Sequence, residues 1–120
     1  MPRLIFLDDD RIQHLLMRKL FQVYLPDWDF EFFENSRIAK DWLTKNSVDL
    51  IISDLNLDVG TGWDFVSEIC DFSDASVVFL TSNISPEDQQ KKAQFDQVKL
   101  LLEKPLEEFG ITQILALLKP

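Results

Sequence analysis

The chain has 120 residues, 46% of them hydrophobic and 28% charged, with three Gly and five Pro. That is enough for one core and too little for a second domain or a low-complexity linker, so the sequence reads as a single domain over residues 1–120. Twelve basic against 21 acidic side chains give a formal charge of −9, which argues against non-specific attraction to nucleic acid or an anionic membrane and suits a protein that binds cations or meets basic partner surfaces.

Short apolar runs alternate with stretches of helical period. Leu4–Leu7 is the first strand, ended by Asp8. From Arg11 to Tyr24, apolar residues at Ile12, Leu15, Leu16, Leu20, Val23 and Tyr24 form the stripe of an amphipathic helix, stopped by Pro26. Trp28–Phe33 is a second strand whose alternation predicts an edge position. Ser36–Lys45 follows as a helix through Ile38, Ala39, Trp42 and Leu43, and Leu50–Ser53 as a buried strand ended by Asp54. Gly60 and Gly62 punctuate the next loop, both expected at positive φ. Trp63–Phe72 reads as helix, with Cys70 on its apolar stripe and so expected in the core. Ser76–Leu80 is the fourth strand, with Thr81 at its end. Ser85-Pro86-Glu87-Asp88 is a helix start, with a capping serine, proline in the first turn and acids at the positive dipole end. Val98–Leu102 is the fifth strand, closed by Glu103, Lys104 and Pro105, and Leu106–Leu118 is the final helix, with Gly110 a weak spot.

Five strands alternating with five helices imply right-handed crossovers and a doubly wound α/β fold, a parallel sheet covered on both faces. The longest apolar run, Ile114–Leu118, falls far short of the ~20 residues a bilayer span needs. No cleavable leader is visible after Met1, which predicts a cytoplasmic protein. The lone Cys70 and lone His14 exclude an intrachain disulfide and thiolate or imidazole metal clusters.

In an open parallel sheet, ligands bind at the carboxyl ends of the strands. Those ends carry Asp8, Asp9 and Asp10 after the first strand and Asp54 after the third. Thr81 and Ser82 follow the fourth, and Lys104 follows the fifth. Clustered carboxylates repel one another, and a bound cation or raised pKa values must relieve this. A hard divalent ion held by carboxylates, waters and a phosphate oxygen is how Mg²⁺ binds. A hydroxyl and an ammonium opposite would stabilise a transferring phosphoryl group, and a carboxylate can itself be the nucleophile. The chemistry implied is Mg²⁺-assisted phosphoryl transfer to an aspartate. Taken singly, each residue has a plainer reading: Asp10 with Gln13 as a capping box, Asp54 as a turn residue, Thr81 as structural, Lys104 as a solvated lysine. His14, between Arg11 and Arg18, reads as a solvated surface residue.

Leu7-Asp8-Asp9-Asp10, Ile51-Ile52-Ser53-Asp54-Leu55-Asn56-Leu57, Phe79-Leu80-Thr81-Ser82 and Glu103-Lys104-Pro105 together resemble the response-regulator receiver domain, from Arg3 to Leu118. The resemblance implies a CheY-like sheet of strand order 2-1-3-4-5. It implies phosphorylation of Asp54 by a histidine kinase or phosphotransfer protein. It further implies Mg²⁺ held by Asp8, Asp9, Asp54 and the Asn56 backbone carbonyl. Thr81, with Ser82 beside it, would bind the phosphoryl group, Lys104 would pair with it, and the Lys104–Pro105 bond would be cis. By this reading the chain is a stand-alone signalling protein rather than an enzyme, acting through contacts of its fourth helix, fifth strand and fifth helix. Three features depart from the family pattern. Leu101 stands where the family carries a switching Tyr or Phe, and is read here as an exposed docking leucine. Asp58 replaces a common proline, adding charge near the site, and Asp96-Gln97 replaces a small-residue turn.

Two rivals remain. A receiver fold used only for binding, never phosphorylated, is kept open by Leu101. Asp8 and Asp10 after a hydrophobic strand also resemble the dehalogenase-type phosphohydrolases, with Asp8 as nucleophile, but Thr81-Ser82-Asn83 stands where those enzymes carry a second acidic cluster. A flavodoxin-like reading fails because three aspartates would sit where a flavin phosphate needs donors.

Overall fold

The alternation is realised as β1 (Arg3–Leu7), α1 (Arg11–Tyr24), β2 (Asp29–Phe33), α2 (Ser36–Leu43), β3 (Leu50–Asp54), α3 (Gly62–Ile69), β4 (Ser76–Thr81), α4 (Pro86–Lys92), β5 (Val98–Glu103) and α5 (Glu108–Leu117), in a computed structural model that describes residues 2–117. The strands form one parallel sheet of order β2-β1-β3-β4-β5. The register is what builds a site. Leu7 pairs with Ser53, so the next residues, Asp8 and Asp54, leave the sheet side by side, and Asp54 in turn pairs with Leu80, one residue before Thr81.

Side chains alternate between two cores, as the period-2 geometry of strands requires. Ile5, Leu7, Ile51, Val77 and Phe79 pack with Ala39 and Leu43 of α2 and with Phe65, Val66 and Ile69 of α3. Leu4, Phe6, Leu50, Ile52, Val78 and Leu80 face the other way, onto Met17 and Phe21 of α1 and Ile111 and Ile114 of α5. β2 is an edge strand with no fully buried residue, as its alternation predicts.

Several local expectations are corrected. On α1 the buried residues are Met17 and Phe21, with His14 and Tyr24 half-buried, while Ile12, Leu15 and Val23 are 65%, 63% and 70% exposed. The apolar residues span more than half the helix circumference, and the arc that faces the sheet is the one that meets Phe6 and the aromatic pair Phe30 and Phe32 of β2. Asp10 caps α1 through the Ile12 amide rather than through a box with Gln13. Cys70 is exposed, because α3 ends at Ile69 and Cys70 is already its C-cap. Of the two loop glycines only Gly60 has positive φ, +74°. Gly62 is required for space instead: a Cβ there would lie 2.5 Å from Cε1 of Phe79. α2 stops at Leu43 and α5 starts at Glu108, both shorter than predicted, and Leu118 lies outside the described residues.

Candidate functional site

Each strand end contributes a side chain because the strand stops where the apolar run stops. Asp8 follows β1 directly and is fully buried (0% exposed), and Asp54 closes β3 at 9%. Asp9, one residue on, is exposed. Oxygens of these three carboxylates lie within 4.8 Å of one another. Lys104, just past β5, reaches back across the sheet end, its Nζ donating to Oδ2 of Asp8 and to Oδ2 of Asp54, each at 3.1 Å. The opposite oxygens are held by backbone amides. Asp10 donates to Oδ1 of Asp8 at 2.9 Å and Asn56 to Oδ1 of Asp54 at 3.2 Å. Both buried carboxylates are thereby fixed in direction without a rigid cage.

Burial pushes the Asp8 carboxyl above its ordinary pKa, against the opposing pull of the Asp10 amide and the Lys104 charge. For Lys104 burial works against the charge, but the bonds and attraction of Asp54 and Asp8 outweigh it and hold its pKa above the usual lysine value. Three carboxylates against one ammonium leave two negative charges to be balanced if all are ionised. An all-oxygen donor set carrying that excess suits a hard divalent cation such as Mg²⁺ or Ca²⁺.

The remaining predicted residues fall around this centre. Thr81 is buried, and its hydroxyl closes a turn with Asn83, donating to the Asn83 carbonyl at 3.2 Å and accepting from its amide at 3.4 Å. The Thr81 carbonyl accepts the Lys104 amide at 2.8 Å, tying the ends of β4 and β5. Ser82 is exposed. The Lys104–Pro105 peptide is cis. The Asp58 carboxylate is engaged at the start of α2, its Oδ1 accepting from the Ser36 amide at 3.0 Å. Leu101 is half-buried against the core that holds Val77, Phe79 and Val98, not exposed.

Two contacts near the site escaped sequence reasoning. His14 is half-buried rather than solvated, and its Nε2 lies 2.6 Å from the Asp8 carbonyl. Its position, one turn after the Asp10 cap and in register with Met17 and Phe21, was the available signal. The indole Nε1 of Trp63 donates to Asp88 at 3.2 Å, joining the starts of α3 and α4. Only a contact between two loops distant in sequence could have revealed it.

The Asp8 and Asp54 carboxylates are both engaged by a backbone amide and by Lys104, but Asp8 is fully buried while Asp54 keeps 9% exposure, so Asp54 is the more open of the two to an external substrate. No curated protein sequence matches the chain. Among solved structures, the Vibrio cholerae chemotaxis protein CheY4 is 25% identical, with 99% of each chain covered and a TM-score of 0.77. A Burkholderia pseudomallei response regulator, solved with a phosphorylated aspartic acid and a calcium ion, is 22% identical over 99% of this chain and 67% of that one, TM-score 0.79. A chain of the co-crystal of the Saccharomyces cerevisiae histidine phosphotransfer protein Ypd1 with the receiver domain of its downstream response regulator Ssk1 is 18% identical, covering 94% and 85%, TM-score 0.80. The family model described as the response regulator receiver domain matches residues 4–116, and with its sheet order and its acidic strand ends the chain belongs to that family of two-component signalling domains.

Proposed function

We propose that this chain is a phosphoacceptor, taking a phosphoryl group onto Asp54 from a phosphohistidine of a histidine kinase or phosphotransfer protein. The observation that carries this reading is the Lys104 ammonium shared between Asp8 and Asp54, with the Asp9 carboxylate alongside. An oxygen of Asp54 attacks phosphorus, the bond from phosphorus to the donor imidazole nitrogen breaks, and that nitrogen leaves with the electron pair. Lys104 then exchanges its contact with the Asp54 carboxylate for one with a phosphoryl oxygen. Thr81 gives up its bond to the Asn83 carbonyl and donates to another, with Ser82 next to it at the mouth. Asp8, Asp9, Asp54 and the Asn56 carbonyl are the residues that would hold Mg²⁺, which when bound neutralises the carboxylates and the phosphoryl oxygens.

Because Thr81 and Lys104 are joined through the backbone at the ends of β4 and β5, their movement is passed to α4, β5 and α5. That face is the proposed contact for a downstream protein, so the chain acts by conformational change as one receiver domain rather than as an enzyme on a separate substrate. The reading implies a cytoplasmic protein, and no helix among the described residues is long and apolar enough to cross a membrane. Asp54→Asn tests it: the variant should take no label from acetyl phosphate with Mg²⁺ and no beryllofluoride, while folding as the wild type. Label retained by the variant, or found on Asp8, would overturn the reading.

A further inference from the structure

His14 stands one turn past the Asp10 cap of α1, with its ring centroid 5.5 Å from that of Phe6 and 5.6 Å from that of Phe32. Its Nε2 lies 2.6 Å from the backbone oxygen of Asp8. A carbonyl can only accept, so Nε2 carries the proton and the packed ring aims it. The peptide that receives this bond is the one joining Asp8 to Asp9. Asp8 is already held through its side chain by the Asp10 amide and Lys104. Asp9 is exposed, and among the described residues no hydrogen bond holds its carboxylate. With no partner of its own, the Asp9 side chain leaves the chain along a Cα–Cβ direction that the Asp8–Asp9 peptide plane helps to set, and that plane is what His14 clamps.

We propose that His14 is a positioning residue that locks this peptide plane and so keeps the Asp9 carboxylate turned toward Asp8 and Asp54, ready to bind a divalent cation. The consequence for the cation rests on the phosphoacceptor reading; the clamp itself does not. Two variants separate ring packing from the bond. His14→Phe keeps an aromatic ring against Phe6 and Phe32 and loses the donor. His14→Gln carries an amide nitrogen at about the reach of Nε2 and restores it.

In the metal-free protein, amide exchange at Asp10 should speed up roughly three- to tenfold in His14→Phe and return toward wild type in His14→Gln, the range expected for one hydrogen bond. In calorimetric titrations the Mg²⁺ dissociation constant should rise by a similar factor in His14→Phe and recover in His14→Gln. The rate of acetyl phosphate labelling at saturating Mg²⁺ should stay within about twofold, because the reacting groups are untouched. A purely structural histidine would lower the unfolding midpoint and leave the Mg²⁺ affinity alone. Wild-type exchange and wild-type Mg²⁺ affinity in His14→Phe would overturn the proposal. A wild-type protein that bound no Mg²⁺ would sink the phosphoacceptor reading instead, and the exchange data would then decide the clamp.

Discussion

Asp8 is held in the fold at an electrostatic disadvantage. Burial raises its pKa, so the folded state binds its proton more tightly than the unfolded state does. The sign follows directly: stability falls as pH climbs from the ordinary carboxylate value, 3.8, through the raised one, and the deficit persists at neutral pH. Asp8→Asn keeps an acceptor for the Asp10 amide and removes the desolvated charge, so in metal-free urea unfolding it should gain roughly 1 kcal/mol at pH 7 and less near pH 4. Mg²⁺ should stabilise the wild type by mass action and the variant much less. A variant less stable than wild type at pH 7 would mean that the Lys104 contact outweighs desolvation. The aspartates and the lysine were legible in the sequence because each stands where an apolar run ends. Their division of labour was not: which carboxylate is buried depends on the register of Leu7 against Ser53, and the aim of Asp58 at the Ser36 amide depends on where a loop folds back.

Among the elements, α4 has the least to hold it. It has seven residues and none of them is buried, so its persistence rests on its ends. Ser85 and Asp88 form a reciprocal capping box, and Asp88 also takes the Trp63 indole. Burial works to raise the Asp88 pKa, but the Ser85 amide, the Trp63 indole and the Ser85 hydroxyl outweigh it and hold the carboxyl below its ordinary value. Its contribution is thus present above the unfolded value of 3.8 and lost as pH falls through the depressed one. Ser85→Ala should cost about 1 kcal/mol and loosen amide exchange across α4 before the rest of the sheet. Exchange in α4 unchanged in that variant would show that the cap is dispensable. This helix start could be read from Ser85-Pro86-Glu87-Asp88 alone, whereas α1 was read with the wrong arc inward. Capping is local chemistry carried by four adjacent residues, and the choice of buried arc on a helix rich in apolar residues is made by the strand it lands on.

For the whole molecule, the sheet is the scaffold that brings the acidic strand ends together. Fold class was legible because alternating elements of these lengths admit few topologies, whereas the strand order came only with the family resemblance. The face proposed for downstream contact was less legible. Leu101 packs half-buried between the sheet and its neighbours rather than standing out as an anchor, so Leu101→Asp should cost about 2 kcal/mol in urea unfolding and still accept label at Asp54. Leu101→Tyr should fold with little loss. A Leu101→Asp protein as stable as wild type would return Leu101 to the surface role its sequence position suggested. Phosphoryl transfer to Asp54 at the acidic strand ends is tested most directly by mass spectrometry of the protein after acetyl phosphate and Mg²⁺. The account predicts a single added phosphoryl group, mapped to the peptide carrying Asp54 and absent when Mg²⁺ is chelated. No modification under conditions where Mg²⁺ is bound, or a phosphoryl group on Asp8 or Asp9, would contradict it.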